Sequence, residues 1–303
     1  MPIGSGAAYV PANIAPRQWI TTDVEYLVFA KASDPVVPFY TNGVFGSGRC
    51  STATFRYNLN LPTDFVVPDA GGGSTPNAVA AILAPDGRTL HQMNPVSRCS
   101  AGGPLTAGWT APDQDIYGDG MLGAHGGSGL SSIGGSLRLG ELTGSAPIRH
   151  ALKVNLWARA ALSPTGSGHR WPAVRADSSY TDSYGGSVPA LRMGALLAIP
   201  AGVDVNGLGL QTAAAKKLAW TLQNYGAYVV DDTAWDADAF DSQSGVGTEF
   251  QRVYGMPIET SSGPWRDDVM KLFAALSVVD NNSPTSIGGG GTPLQPLAPD
   301  IGG

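Results

Sequence analysis

Two adjacent aspartates, Asp231 and Asp232, follow the apolar run Ala227-Tyr228-Val229-Val230, so a short strand would deliver two carboxyls to one place. A glycosidase needs such a pair: one carboxyl protonates the leaving oxygen and the other attacks or activates water, the two standing about 5 to 9.5 Å apart. Glu141, on a stretch with a near-two-residue apolar period, and His150, at the head of another apolar run, join them as candidate acid and base groups. Plainer readings compete. An Asp-Asp pair at a strand exit is commonly a cap or turn device, and a histidine opening a core strand is commonly buried and hydrogen-bonded. His91, His125, His150 and His169 are scattered without an i, i+4 pair or a neighbouring cysteine, so no metal ligand set is expected. The stretch Asp113 to Gly120 echoes a calcium loop, but Ala124 stands where the closing glutamate belongs; calcium is only an echo and no other cofactor is expected.

Flat rings are the second kind of candidate, because sugars stack their apolar faces on them. Trp171, Tyr180, Tyr184 and Trp235 lie in stretches rich in Ser, Asp, Gly and Pro, which suits ligand contact, whereas Trp157, Trp220 and Trp265 suit the core. His125, inside the glycine-rich stretch from Gly123 to Gly135, is the histidine best placed to face a ligand from a surface loop. That stretch is no phosphate cradle, since Ser136-Leu137-Arg138-Leu139-Gly140-Glu141-Leu142 reads as a strand where a nucleotide fingerprint requires a helix. Nor is it a nucleophile elbow, because Leu130 occupies the last position of Gly126-Gly127-Ser128-Gly129-Leu130.

The elements that must position these groups are mostly strands. Candidates are Val24 to Ala30, Ala53 to Leu59, Asn77 to Leu83, Thr89 to Met93, Leu137 to Leu142, His150 to Ala158 and Leu191 to Ile199, separated by turn signals such as Pro85-Asp86-Gly87. Two amphipathic helices stand near the end: Thr212 caps Ala213 to Tyr225, and Pro264 opens a helix reaching residue 277 with Trp265, Val269, Leu272, Phe273 and Leu276 on one stripe. The expected fold is mainly β with a small α/β part: an antiparallel, jelly-roll-like β-sandwich over residues 21–280, with an extended arm over 1–20 and a Gly/Pro-rich tail over 281–303. The arm and tail, unable to build a core of their own, are expected to order on neighbouring subunits.

Composition narrows the partners. With 43% apolar residues the 303-residue chain can bury a real core, while 14% charged residues and 41 glycines favour strands and loops over helices. A net charge of −6 with no basic run argues against nucleic acid, and no apolar run approaches the roughly 18 residues of a membrane span. Cys50 and Cys99 share an Arg-Cys-Ser context and leave two readings open, a disulfide or two buried thiols. The first residues show no basic stretch followed by an apolar core, so no secretory signal is expected.

Four strings occur in order: APIRHALKVNL from residue 146, HRWPAVRADSSY from 169, PALRMGALLAIP from 189 and TAAAKKLAWTLQNYGAYVVDDTAWD from 212. With ILAPDGRTLHQMNPVSRCSAGGP and IYGDGMLGAHGGSGLSSIGGSLRLGEL ahead of them, roughly residues 75 to 235 resemble a module of secreted bacterial proteins. The version here looks most like the minor tail proteins of siphophages that infect actinobacteria. The resemblance implies a virion tail protein, assembled in the host cytoplasm, with other tail proteins, copies of itself and the cell-wall glycan as partners; His150 matches the histidine of its motif. It carries over no catalytic residue. Three functions follow as expectations: a structural subunit at the tail tip contributing to host recognition, a glycan-cleaving enzyme, or a stand-alone carbohydrate-binding module.

Overall fold

The computed structural model describes residues 1–71 and 77–299. In chain order its strands are β1 (Tyr9–Pro11), β2 (Trp19–Phe29), β3 (Val36–Thr41), β4 (Thr54–Asn60), β5 (Ala80–Leu83), β6 (Thr89–Ser97), β7 (Leu105–Thr110), β8 (Gln114–Asp115), β9 (Leu152–Leu156), β10 (Leu196–Ala198), β11 (Ala227–Asp232), β12 (Ala237–Gln243) and β13 (Ser277–Val279). The helices are α1 (Tyr180–Ser183), α2 (Ala213–Asn224), α3 (Val246–Tyr254) and α4 (Pro264–Ala274). The described residues are therefore mainly β, with mixed sheets and few helices. The pairing corrects the antiparallel, jelly-roll-like sandwich: β2 with β5, β3 with β7, and β9 with β11 are parallel. Among the described residues no helix is long and apolar enough to cross a membrane.

The chain divides into two compact units, a middle unit of residues 23–134 and a terminal unit of 1–22 with 135–303. In the middle unit the strand order is β2-β5-β6-β7-β3-β4, with β8 on β6. Phe39, Ile82, Met93, Val96 and Leu105 are fully buried between these strands. β3 escapes a sequence reading because Pro38 interrupts its apolar run, and β7 because Gly108 does. Cys50 and Cys99 form a disulfide with their Cα atoms 6.0 Å apart. Beside it the Asp69 carboxylate accepts the Gly48 and Arg49 backbone N–H groups at 2.7 and 2.9 Å.

The glycine-rich stretch is not a surface loop. His125, Ser128 and Ser132 are fully buried, and a Cβ on Gly123 would stand 2.6 Å from the Ser131 backbone, so the glycine permits a close approach of two chain segments. Gly134, by contrast, has room for a side chain.

In the terminal unit the strand order is β1-β13-β10-β11-β9-β12. The parallel strands β9 and β11 are joined by a long crossover that includes β10 and α2. Thr212 caps α2 by accepting the Ala215 N–H, and the spacing of buried Ala214, Ala215, Leu218, Ala219 and Leu222 lays one stripe on the sheet. Pro264 opens α4 as expected, but the helix ends at Ala274, because Ser277-Val278-Val279 pairs with both β1 and β10. The segment from Leu137 is no strand: Leu137 alone bridges to Ser242 before the chain turns. The first residues and the described part of the tail meet within this unit. Gly4 bridges to Pro293, Leu294 N–H donates to the Ile3 carbonyl at 2.8 Å, and Ile3 is fully buried. The expectation that both arms wait for a neighbouring subunit is corrected by these contacts for the described part of each; the last four residues of the tail, 300–303, lie outside the described residues.

Candidate active site at the carboxyl edge of a parallel strand pair

Parallel strands bring their carboxyl ends to one edge, the usual place for a site in such a sheet. Here Asp231 and Asp232 end β11 in register with Asn155 and Leu156 of β9, after a register shift between Val229 and Asp231. Such a shift re-aims side chains at the rim of a sheet. The chain leaving β9 loops back over the same edge and supplies Asp177 and Tyr184. Its path is pinned by backbone bonds from Gly185 N–H to the Ala158 carbonyl and from Gly186 N–H to the Leu162 carbonyl, at 3.1 and 2.8 Å. The short helix α1 sits between them and stacks Tyr180 edge-on against Tyr184, ring centroids 6.2 Å apart.

Carboxylate oxygens of Asp177, Asp231 and Asp232 all lie within 4.8 Å of one another. Tyr184 donates its hydroxyl to Asp177 Oδ2 at 2.6 Å, and the Asp232 N–H donates to Asp231 Oδ1 at 3.0 Å. Burial, then the charges of Asp177 and Asp231, push the Asp232 carboxyl up to about 7. Burial and the charge of Asp231 raise Asp177 against the smaller opposing effects of Tyr184 and Arg175, and burial with Asp177 raises the Tyr184 phenol. The arrangement can store a proton near neutral pH beside acceptor carboxylates. Its oxygens are also donors of the kind a hard divalent cation takes.

The four sequence candidates for acid and base are split between two places. Glu141 and His150 meet at the amino end of β9, His150 Nε2 lying 2.9 Å from Glu141 Oε1 and its Nδ1 2.9 Å from the Ala151 carbonyl. Burial would raise the Glu141 carboxyl, but the His150 bond and charge and the Arg138 N–H outweigh it, and the net direction is down. From His150 to Leu156, the register partner of Asp232, the chain runs six residues, roughly 20 Å at strand rise. These two groups therefore cannot work on one bond with Asp231 and Asp232.

The remaining candidates separate too. Tyr184 and Tyr180 join the acid cluster, and Trp171 lies half-buried on the same crossover loop. Trp235 stands in the turn after β11, 46% exposed, its ring 5.8 Å from that of Trp19. His125 does not stand on a surface loop: it is fully buried with Nε2 2.7 Å from Glu25 Oε1. The calcium-like loop spends its carboxylates on the protein, Asp113 on His91, Asp115 on Arg88 and Asp119 on the Met121 N–H.

Asp177 and Asp238 were missed by sequence reasoning. Asp177 sits among Ser and Tyr in a loop, where a single carboxylate carries no signal. Asp238 sits in the alternation of β12 and is fully buried, with Oδ1 accepting the Trp157 N–H at 3.3 Å and burial pushing it up to about 7. A charged residue between two alanines in a strand was its only cue. Compared with known proteins, the chain matches no family model, no curated protein and no solved structure.

Proposed function

We propose that this chain is a minor tail subunit of a phage that infects actinobacteria and that it works on the cell-wall glycan of its host, with Asp177, Asp231, Asp232 and Tyr184 as a glycan-cleaving site. The setting rests on the resemblance of residues 75 to 235, and the chemistry rests on one observation: three carboxylates within 4.8 Å, one of them holding its proton to about pH 7. Asp232 is the proton donor to the leaving glycosidic oxygen, and Asp231 is the carboxylate that attacks the anomeric carbon. Burial first, and then the charge of Asp177, which is fixed by the Tyr184 hydroxyl, keeps Asp232 protonated. Oxygens this close suit the retaining geometry, in which a glycosyl ester forms and is then hydrolysed, better than the wider inverting geometry that leaves room for water between two carboxyls.

The purified chain incubated with insoluble actinobacterial cell walls should release reducing ends, and Asp232→Asn should release them on the order of 10²–10⁴ times more slowly. Wild-type protein that binds walls without releasing reducing ends would sink the cleavage reading and leave the second one, recognition alone, which the half-buried aromatics Trp171 and Tyr180 support without any chemistry. Immunogold labelling of intact particles tests the setting: label belongs on the tail, and unlabelled particles would remove the virion role.

A further inference from the structure

The turn between β11 and β12 carries more exposed aromatic surface than a turn needs. Its indole, Trp235, is 46% exposed, yet the backbone beneath it is tightly fixed. The Thr233 hydroxyl donates to the Trp235 and Ala237 carbonyls at 3.0 and 2.6 Å, Ala237 N–H donates to the Trp235 carbonyl at 2.7 Å, and Trp19 N–H donates to the Asp236 carbonyl at 3.2 Å. A ring held out by a rigid turn loses little further freedom when something stacks on it. Trp19 backs the ring, Arg17 lies over the Trp157 ring at 5.4 Å, and Arg17 Nη1 stands 3.5 Å from Asp236 Oδ1.

We propose that Trp235, backed by Trp19 and flanked by Arg17 and Asp236, is a stacking subsite for an uncharged sugar residue next to the one held at the acid cluster. The inference rests on the glycan reading above and narrows its substrate to a neutral polysaccharide with at least two consecutive residues engaged. Position supports it: Trp235 follows Asp232 by three residues, which span at most roughly 10 to 11 Å, and Trp157 follows Leu156, the register partner of Asp232. Charge supports it as well. The buried Arg17 guanidinium offsets the charge of Asp236, whose partly exposed carboxylate offers an acceptor, while an acidic sugar or a phosphate would meet Asp177, Asp231 and Asp232 nearby. A flat ring with polar groups at its rim matches the apolar face and the hydroxyls of a sugar ring.

The test uses the full chain, with soluble neutral arabinogalactan and a uronic-acid polymer of matched length as probes. Trp235→Ala should raise KM for cleavage roughly tenfold and weaken binding by the same factor, with kcat moved far less. Trp235→Tyr should recover most of the loss, and both variants should melt with the parent, since the ring is not part of the core. Asp232→Asn should bind the neutral polymer as wild type does while cleaving it far more slowly, which separates failure of the subsite from failure of the cleavage reading. Unchanged KM and binding in Trp235→Ala, or equal binding of the uronic-acid polymer, would overturn the subsite with cleavage intact. No binding of either polymer by the wild type would overturn subsite and glycan reading together.

Discussion

The two ends of β9 carry the same kinds of side chain in opposite electrostatic states. At the amino end, the Glu141 carboxylate meets the His150 imidazole and the Arg138 N–H, and its proton affinity falls. At the carboxyl end, Asp177, Asp231 and Asp232 crowd together, and the proton affinity of two of them rises. A partnered carboxylate adds to stability, whereas crowded carboxylates subtract from it. The lesson is that composition alone, acid with acid or acid with histidine, does not mark a site; the sign of the shift separates the two ends.

The widest gap should appear in catalysis. Asp232→Asn is expected to lower kcat for wall cleavage by on the order of 10²–10⁴, while Glu141→Gln leaves kcat near wild type. Equal losses in both variants, measured as reducing ends released, would erase the distinction between the two ends. Cleavage by the wild type should also fall as pH rises through about 7, where Asp232 loses its proton.

Next in size is the satisfied pair taken to its limit. His125 and Glu25 are fully buried in the middle unit, so His125→Ala should cost about 3–5 kcal/mol by chemical denaturation, more than a change at either end of β9. A cost below 1 kcal/mol would show that burial adds little to such pairing here.

The smaller effects have opposite signs in pH. Asp232 has a folded-state proton affinity above its unfolded one, so its favourable contribution is complete below about 4 and is lost as pH rises toward 7; Asp232→Asn should therefore stabilise the protein at pH 8, by about 1–2 kcal/mol after allowing for its partial exposure. Glu141 is shifted down, so its contribution is present above the ordinary carboxylate range and is lost as pH falls through its folded value. Glu141→Gln should cost about 1 kcal/mol at pH 7 and progressively less as pH falls below the ordinary carboxylate range. Thermal melting of both variants across pH 3–8 reads the two slopes directly, and slopes of the same sign would contradict the electrostatic contrast.

Much of the local structure was legible in the chain because its causes are local. Thr212, the apolar spacing through Leu222 and Gly226 specify α2 to within one residue, since cap, stripe and terminator act within a few positions. Asp231 and Asp232 were legible as carboxyls at a strand exit, and Tyr180 and Tyr184 as loop aromatics, for the same reason.

What only the tertiary structure decided depends on partners far apart in sequence. Residues 277–279 leave the expected helix because β1 and β10 offer their backbone groups hydrogen bonds that the helix would otherwise have to match. The glycine-rich stretch is buried because Glu25, a hundred residues earlier, meets His125 there, and polarity alone suggested a surface loop. The choice between thiols and a disulfide for Cys50 and Cys99 fell to the folding that brings their Cα atoms to 6.0 Å. Likewise, Asp177 stands 54 positions before Asp231 in the chain, and only the pinned crossover loop makes it the third carboxylate of one cluster. Proton affinity follows from that proximity, because charge interaction and desolvation depend on distance in space, to which residue order is blind.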